Sequence, residues 1–139
     1  MEANELILGN KVGFYKPLIR ELQIGNVAGI MQDDVYIPEF SKTVLLSYNG
    51  ITGIPLTEEW LLKFGFESQG EVFVGYEQNL IYQYYYCKGF GIALIGDTFR
   101  LWINSEDDWY SFPWTELNFV HELQNLYYAL TKTELILKS

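Results

Sequence analysis

The stretch NLIYQYYYCKGFGIALIGDTFRLWIN, Asn79 to Asn104, repeats with a period of two and is interrupted only at Gly89 and at Gly96-Asp97. Successive side chains of a strand point to opposite faces, so such a pattern describes strands with two unlike faces. With EVFVGYE, Glu71 to Glu77, in front of it, the region reads as four successive strands of an antiparallel sheet. Gly96-Asp97 is expected to join the last two as a two-residue hairpin turn. Phe99, Leu101 and Ile103 fall on one face of the final strand, Arg100 and Trp102 on the other. SEDDWYSFPW, Ser105 to Trp114, is expected to follow as a polar and aromatic loop.

On the N-terminal side of the sheet lies IPLTEEWLLKFGFE, Ile54 to Glu67. Thr57 is a suitable N-cap, Glu58 and Glu59 favour the positive end of a helix, and Gly65 provides a stop. A helix of about two turns is unstable alone, so it must be held by burying Trp60, Leu61 and Phe64, with Phe66 over its end. Its aromatic character leaves two readings, a docking surface or an anchored structural part, and the second accounts for more of the residues. On the C-terminal side, VHELQNLYYALT places Val120, Leu123, Tyr127 and Leu130 at helical spacing with Leu126 beside them. That stripe is expected to lie across the sheet.

The first 56 residues are short apolar runs separated by Gly, Asn and Pro, which predicts a β-lobe. Strands are expected at 11–15, 19–24, 26–31, 34–37 and 43–48. ELILGN at Glu5 and ELQIGN at Glu21 are near-copies, read as two strand-to-turn junctions in which Gly9, Asn10, Gly25 and Asn26 supply left-handed conformations. The expected fold class is therefore α+β: a small N-terminal β-lobe over 1–56, then over 57–139 an antiparallel sheet packed by two helices. Together they form a single compact domain over 1–139.

Composition narrows function. The 139 residues carry a net charge of -9, with 49% hydrophobic and 17% aromatic residues. An acidic domain repels a phosphate backbone, so direct nucleic-acid binding is not expected, whereas a basic protein partner is compatible. The lone Cys87 cannot form an intrachain disulfide and reads as a packing residue of a reducing compartment. MEANELILGN lacks the basic and apolar segments of a secretory signal, and no apolar run reaches the length of a membrane span. The expected location is the cytoplasm, with no membrane contact.

Catalytic chemistry has few carriers. His121 is the only imidazole, and one His with one Cys cannot assemble a zinc site of nitrogen and sulfur ligands. Asp33 with Asp34, Glu58 with Glu59, and Glu106, Asp107 and Asp108 are adjacent acids on expected turns or helix ends, positions where carboxylates usually face water. A carboxylate-dependent enzyme would need two of them to converge in one cleft. Neither nucleotide-binding glycine motif is present. The expectation is a protein without catalytic residues, cofactor or metal. The aromatic surplus, Tyr82, Tyr84, Tyr85, Tyr86, Trp102, Trp109, Tyr110, Phe112 and Trp114, is the positive signal, because Tyr and Trp supply binding energy at interfaces.

Three phrases, ELQIGN, IPLTEEWLLKFGFE and VHELQNLYYALTKTEL, resemble a family of small uncharacterised proteins of Bacteroidetes genomes, prophages and phages. This chain departs from that pattern in its upstream ELILGN copy and in Lys132, where the pattern often has Gly. The resemblance implies a mobile-element accessory protein and brings no catalytic residue with it. The leading expectation is a non-catalytic protein that binds another protein, such as an inhibitor of a host anti-phage defence effector of the CRISPR nuclease type. A non-inhibitory structural or regulatory interaction module of a phage is the alternative, and a carboxylate-dependent enzyme the third. The residues expected to contact the partner are Glu106, Asp107 and Asp108, for attraction, with Trp109 and Tyr110 as anchors.

Overall fold

The computed structural model describes residues 1, 3–16, 20–73, 81–88, 90–95, 97–104 and 109–138, with 71–73, 81, 82, 95, 102–104 and 109–115 described by backbone alone. The fold is α+β, and all its sheets are antiparallel. The chain divides into two compact units: Met1–Pro55 with Phe119–Glu134, and Leu56–Asn118 with Leu135–Ser139.

Among its described residues the first unit holds six short strands. β1 (Lys11–Phe14) lies between β2 (Gln23–Asn26) and β6 (Ile51–Thr52), and β4 (Asp34–Tyr36) lies between β3 (Gly29–Ile30) and β5 (Leu46–Ser47). Val12, Phe14, Val27, Val35, Ile37 and Ile51 form one buried cluster, in which Phe40 meets Phe14 edge-on with ring centres 5.7 Å apart. Each such side chain contributes roughly 1.5–3 kcal/mol by leaving water, which is what lets strands of two to four residues persist. The Tyr48 hydroxyl, also in this core, donates to the Met31 carbonyl.

The near-copies ELILGN and ELQIGN do different work. Gly9 has φ +91, the left-handed turn residue the pattern predicts. Gly25 has no such conformation: it lies inside β2 opposite Val12. A Cβ there would overlap Ile37 and stand 2.8 Å from Phe14 Cε1, so the second glycine is needed for close approach and not for a turn.

The last helix, α2 (Val120–Thr131), expected on the sheet of the second half, is built into this first unit. Val120, Leu123 and Tyr127 are buried at the predicted spacing, but Leu130 is 54% exposed and Gln124 only 5%. The Gln124 carboxamide accepts from Lys11 N–H at 2.8 Å and donates to the Gly9 carbonyl at 3.2 Å. Asn10 donates to Asn125 Oδ1 at 2.8 Å, and Asn125 donates in turn to the Glu5 carbonyl at 2.7 Å. Polar side chains thus fix the helix to the Gly9-Asn10 turn, because each buried polar group there finds a partner. The Glu122 carboxylate accepts from Phe119 N–H at 3.0 Å, one half of a capping box. Lys132, at φ +59, ends the helix in the left-handed conformation.

The second unit opens with α1 (Glu58–Lys63). Thr57 is the N-cap residue in extended backbone, although its side chain makes no capping bond. At the other end Gly65, φ +92, donates to the Leu62 carbonyl and Phe66 N–H to the Leu61 carbonyl, both at 3.0 Å. These two bonds and the left-handed glycine are a Schellman motif, and Leu61 and Phe66, the pair that closes it, are both buried. The IPLTEEWLLKFGFE phrase is therefore explained locally as a capped short helix, with Trp60 half-buried beneath Lys63, whose Nζ lies 5.3 Å from the indole centre.

Five strands follow as a meander: β7 (Glu67–Phe73), β8 (Ile81–Cys87), β9 (Phe90–Ile95), β10 (Thr98–Asn104) and β11 (Trp109–Leu117). Ile95 pairs with Thr98, the register of a two-residue connection; Gly96 itself lies outside the described residues. The fifth strand falls on the expected loop Ser105–Trp114. Pro113 argues against a strand in the middle of a sheet, but β11 is an edge, where a missing N–H is tolerated. The ladder there is also irregular, passing from Arg100↔Glu116 to Trp102↔Ser111. A second irregularity, in β7 between Ser68 and Glu71, contains Gly70 at φ +77. Among the described residues no helix is long and apolar enough to cross a membrane.

Candidate interaction surface

The alternation read from Asn79 to Asn104 sorts the sheet of the second unit into two unlike faces. Tyr85, Phe90, Ile92, Phe99, Leu101 and Leu117 are buried on one of them. There the Tyr85 ring lies 6.3 Å from Phe99. Burial, and then the nearby Glu58 carboxylate, push the Tyr85 hydroxyl up from its ordinary value.

The opposite face is organised in cross-strand rows, since residues directly paired across strands share a face. Tyr84, Ala93, Arg100 and Glu116 are successive partners across β8, β9, β10 and β11. Arg100 and Glu116 close the row with a 3.1 Å ion pair. Tyr86 stands beside Tyr84, ring centres 6.3 Å apart and planes 42° from parallel, and pairs across β7 with Glu67. Tyr84 is buried, and burial followed by the neighbouring Tyr86 pushes its hydroxyl up to about 12, so it remains a neutral hydrogen-bonding group. Tyr86, by contrast, is 42% exposed beside an exposed carboxylate.

Of the residues expected to touch a partner, Glu106, Asp107 and Asp108 lie outside the described residues. Trp109 and Tyr110 belong to β11, paired with Asn104 and Ile103, and their side chains are likewise outside the description. Cys87 ends β8 half-buried, and desolvation raises its thiol, the opposite of what a reactive thiolate needs. Asp34 serves β3–β4, its carbonyl accepting from Met31 N–H at 2.9 Å. Glu59 pairs with Lys63 at 3.1 Å.

His121 lies in the first unit, at the first turn of α2. It is 2% exposed, stacks on Phe119 with ring centres 5.7 Å apart and planes 12° from parallel, and abuts Gly53. Its Nδ1 is buried without a protein partner among the described residues. Desolvation lowers its pKa from the ordinary 6.5 against the opposing pull of Glu122 and Glu5, so the neutral ring is the packed form. Among the described residues no group of three or more His, Cys, Asp or Glu side chains is placed to hold a metal ion.

Sequence reasoning named Tyr84 and Tyr86 only within the aromatic surplus and did not find their partners. Glu67 lies opposite Tyr86 only because of the irregularity at Gly70, and Arg100 meets Glu116 only because Trp109–Leu117 is a strand. No protein-family model, no curated protein and no solved structure matches the chain.

Proposed function

We propose that this is a non-catalytic accessory protein of a phage or prophage that acts by binding another protein, with an inhibitory complex on a basic host defence effector, such as a CRISPR nuclease, as its specific form. The observation that carries the reading is the charge of the second unit: ten carboxylates against four cations in sequence. Two of those cations, Lys63 and Arg100, are already engaged by Glu59 and Glu116. Such a field speeds encounter with a basic surface and disfavours nucleic acid. Glu106, Asp107 and Asp108, between β10 and β11 in sequence, would add to that attraction, and Trp109 and Tyr110 would anchor the contact.

The test is affinity capture from a host lysate across a salt series, with the captured proteins identified by mass spectrometry. It is followed by a plasmid-interference assay in cells carrying the captured effector. A basic defence protein retained at low salt and silenced in cells is the expected result. Retention without loss of interference would favour a non-inhibitory phage module, and failure to retain any protein at low salt would overturn the reading.

A further inference from the structure

Resting on the reading that the partner is a basic protein, we propose that Tyr86 and Glu67 form an arginine anchor on the sheet of the second unit: a partner guanidinium stacks on the Tyr86 ring and pairs with the Glu67 carboxylate. Three observations meet here. Tyr86 and Glu67 are direct cross-strand partners, β7 being an edge strand, and both are exposed. Directly paired side chains lie roughly 4.5–5.5 Å apart at Cβ, close enough for one planar cation to touch both. Tyr84 buttresses the ring from the side at 6.3 Å, so Tyr86 is supported by a buried neighbour. The cation of the neighbouring row, Arg100, is engaged by Glu116 at 3.1 Å, and among the described residues no cation lies within ion-pair distance of Glu67.

Arginine suits this arrangement better than lysine. Its planar group stacks on an aromatic face while donating to a carboxylate, and it is more weakly hydrated than an ammonium. Lys88, two residues beyond Tyr86 in a left-handed turn conformation, is the cation closest to Tyr86 in sequence and would repel the ligand.

The experiment titrates the whole protein at low salt with a nonapeptide of alternating arginine and serine, and with its lysine counterpart, following the Tyr86 and Glu67 resonances. The arginine peptide should bind more tightly than the lysine peptide. Tyr86→Ala and Tyr86→Leu leave the charge unchanged and should each weaken the arginine peptide about five-fold, the size of a solvent-exposed cation–π contact. Glu67→Gln should weaken it similarly, while Glu21→Gln, the same charge change in the first unit, should not. Wild-type affinity in both Tyr86 variants, or equal loss in Glu67→Gln and Glu21→Gln, would overturn the anchor and leave general attraction to basic partners standing. A wild-type protein that binds neither peptide would overturn both.

Discussion

Gln124 ties the start of β1 and the turn before it to a helix: its Oε1 takes the Lys11 N–H at 2.8 Å and its Nε2 reaches the Gly9 carbonyl at 3.2 Å. One carboxamide thereby supplies the acceptor and the donor that a neighbouring strand would supply. The short β6 pairs with β1 only at Gly13 and Phe14.

Gln124→Leu keeps the bulk and removes both bonds. A buried donor or acceptor left unmatched costs about 1–3 kcal/mol, so the substitution should lower the unfolding free energy of the first unit by that amount. Urea denaturation gives the magnitude. Amide exchange at Lys11, accelerated well beyond that of the β9 amides, gives the location. An unchanged Lys11 exchange rate would show that the helix is held by its apolar side chains alone.

His121 makes stability depend on pH with a definite sign. Its folded pKa lies below 6.5, so between the two values the unfolded chain binds a proton that the native state refuses. The His121 contribution is therefore fully present above 6.5 and is lost as pH falls from there toward the folded pKa. The location adds to the effect, since a cation at the first turn of a helix meets the positive end of its dipole. Glu122 and Glu5 oppose the trend and narrow the window. His121→Phe keeps a ring against Phe119 and cannot titrate. The expected result is a wild-type midpoint that drops from pH 7 to pH 5 more than that of the variant. Parallel profiles would contradict it.

Those two residues mark where the sequence was legible and where it was not. Alternation from Asn79 to Asn104 reads directly because a half-buried strand must sort its side chains, and FGF after EEWLLK reads directly because a Schellman turn requires that glycine. The place of α2 did not read, because Gln124 and Asn125 look like solvent-facing residues until the Gly9-Asn10 turn is set beside them. ELILGN and ELQIGN misled for the same reason, the same letters meeting different neighbours. Pro113 hid β11, since its penalty depends on edge position, which is a property of the finished sheet. For the candidate surface, the aromatic surplus included Tyr84 and Tyr86, while their shared face and the pairing with Glu67 awaited the strand registers and the irregularity at Gly70.

Leu61 and Trp60 should differ although they are neighbours on one short helix. Leu61 is fully buried, so Leu61→Ala should cost about 2–5 kcal/mol. Trp60 is half-buried, in contact with Phe64 at 5.8 Å and beneath Lys63, so Trp60→Ala should cost less than Leu61→Ala. Chemical denaturation of both variants decides it. A larger loss for Trp60 would mean that the indole, and not the Leu61–Phe66 closure, holds α1.

Two glycines should fail on substitution for different reasons. Gly65 has φ +92 and nothing within 4 Å of a would-be Cβ, so Gly65→Ala carries only backbone strain, about 1–2 kcal/mol. Gly25 has ordinary strand geometry with Ile37 and Phe14 against it, so Gly25→Ala forces the core apart, at about 1–3 kcal/mol. The two losses overlap in size, and asparagine separates them. Asn tolerates the left-handed region through its local hydrogen bonding, so Gly65→Asn should be more stable than Gly65→Ala. At position 25 the extra atoms only deepen the overlap, and Gly25→Asn should be less stable than Gly25→Ala. Thermal or urea unfolding of the four variants gives the two rankings. The same order of Ala and Asn at both positions would mean that one cause acts at both.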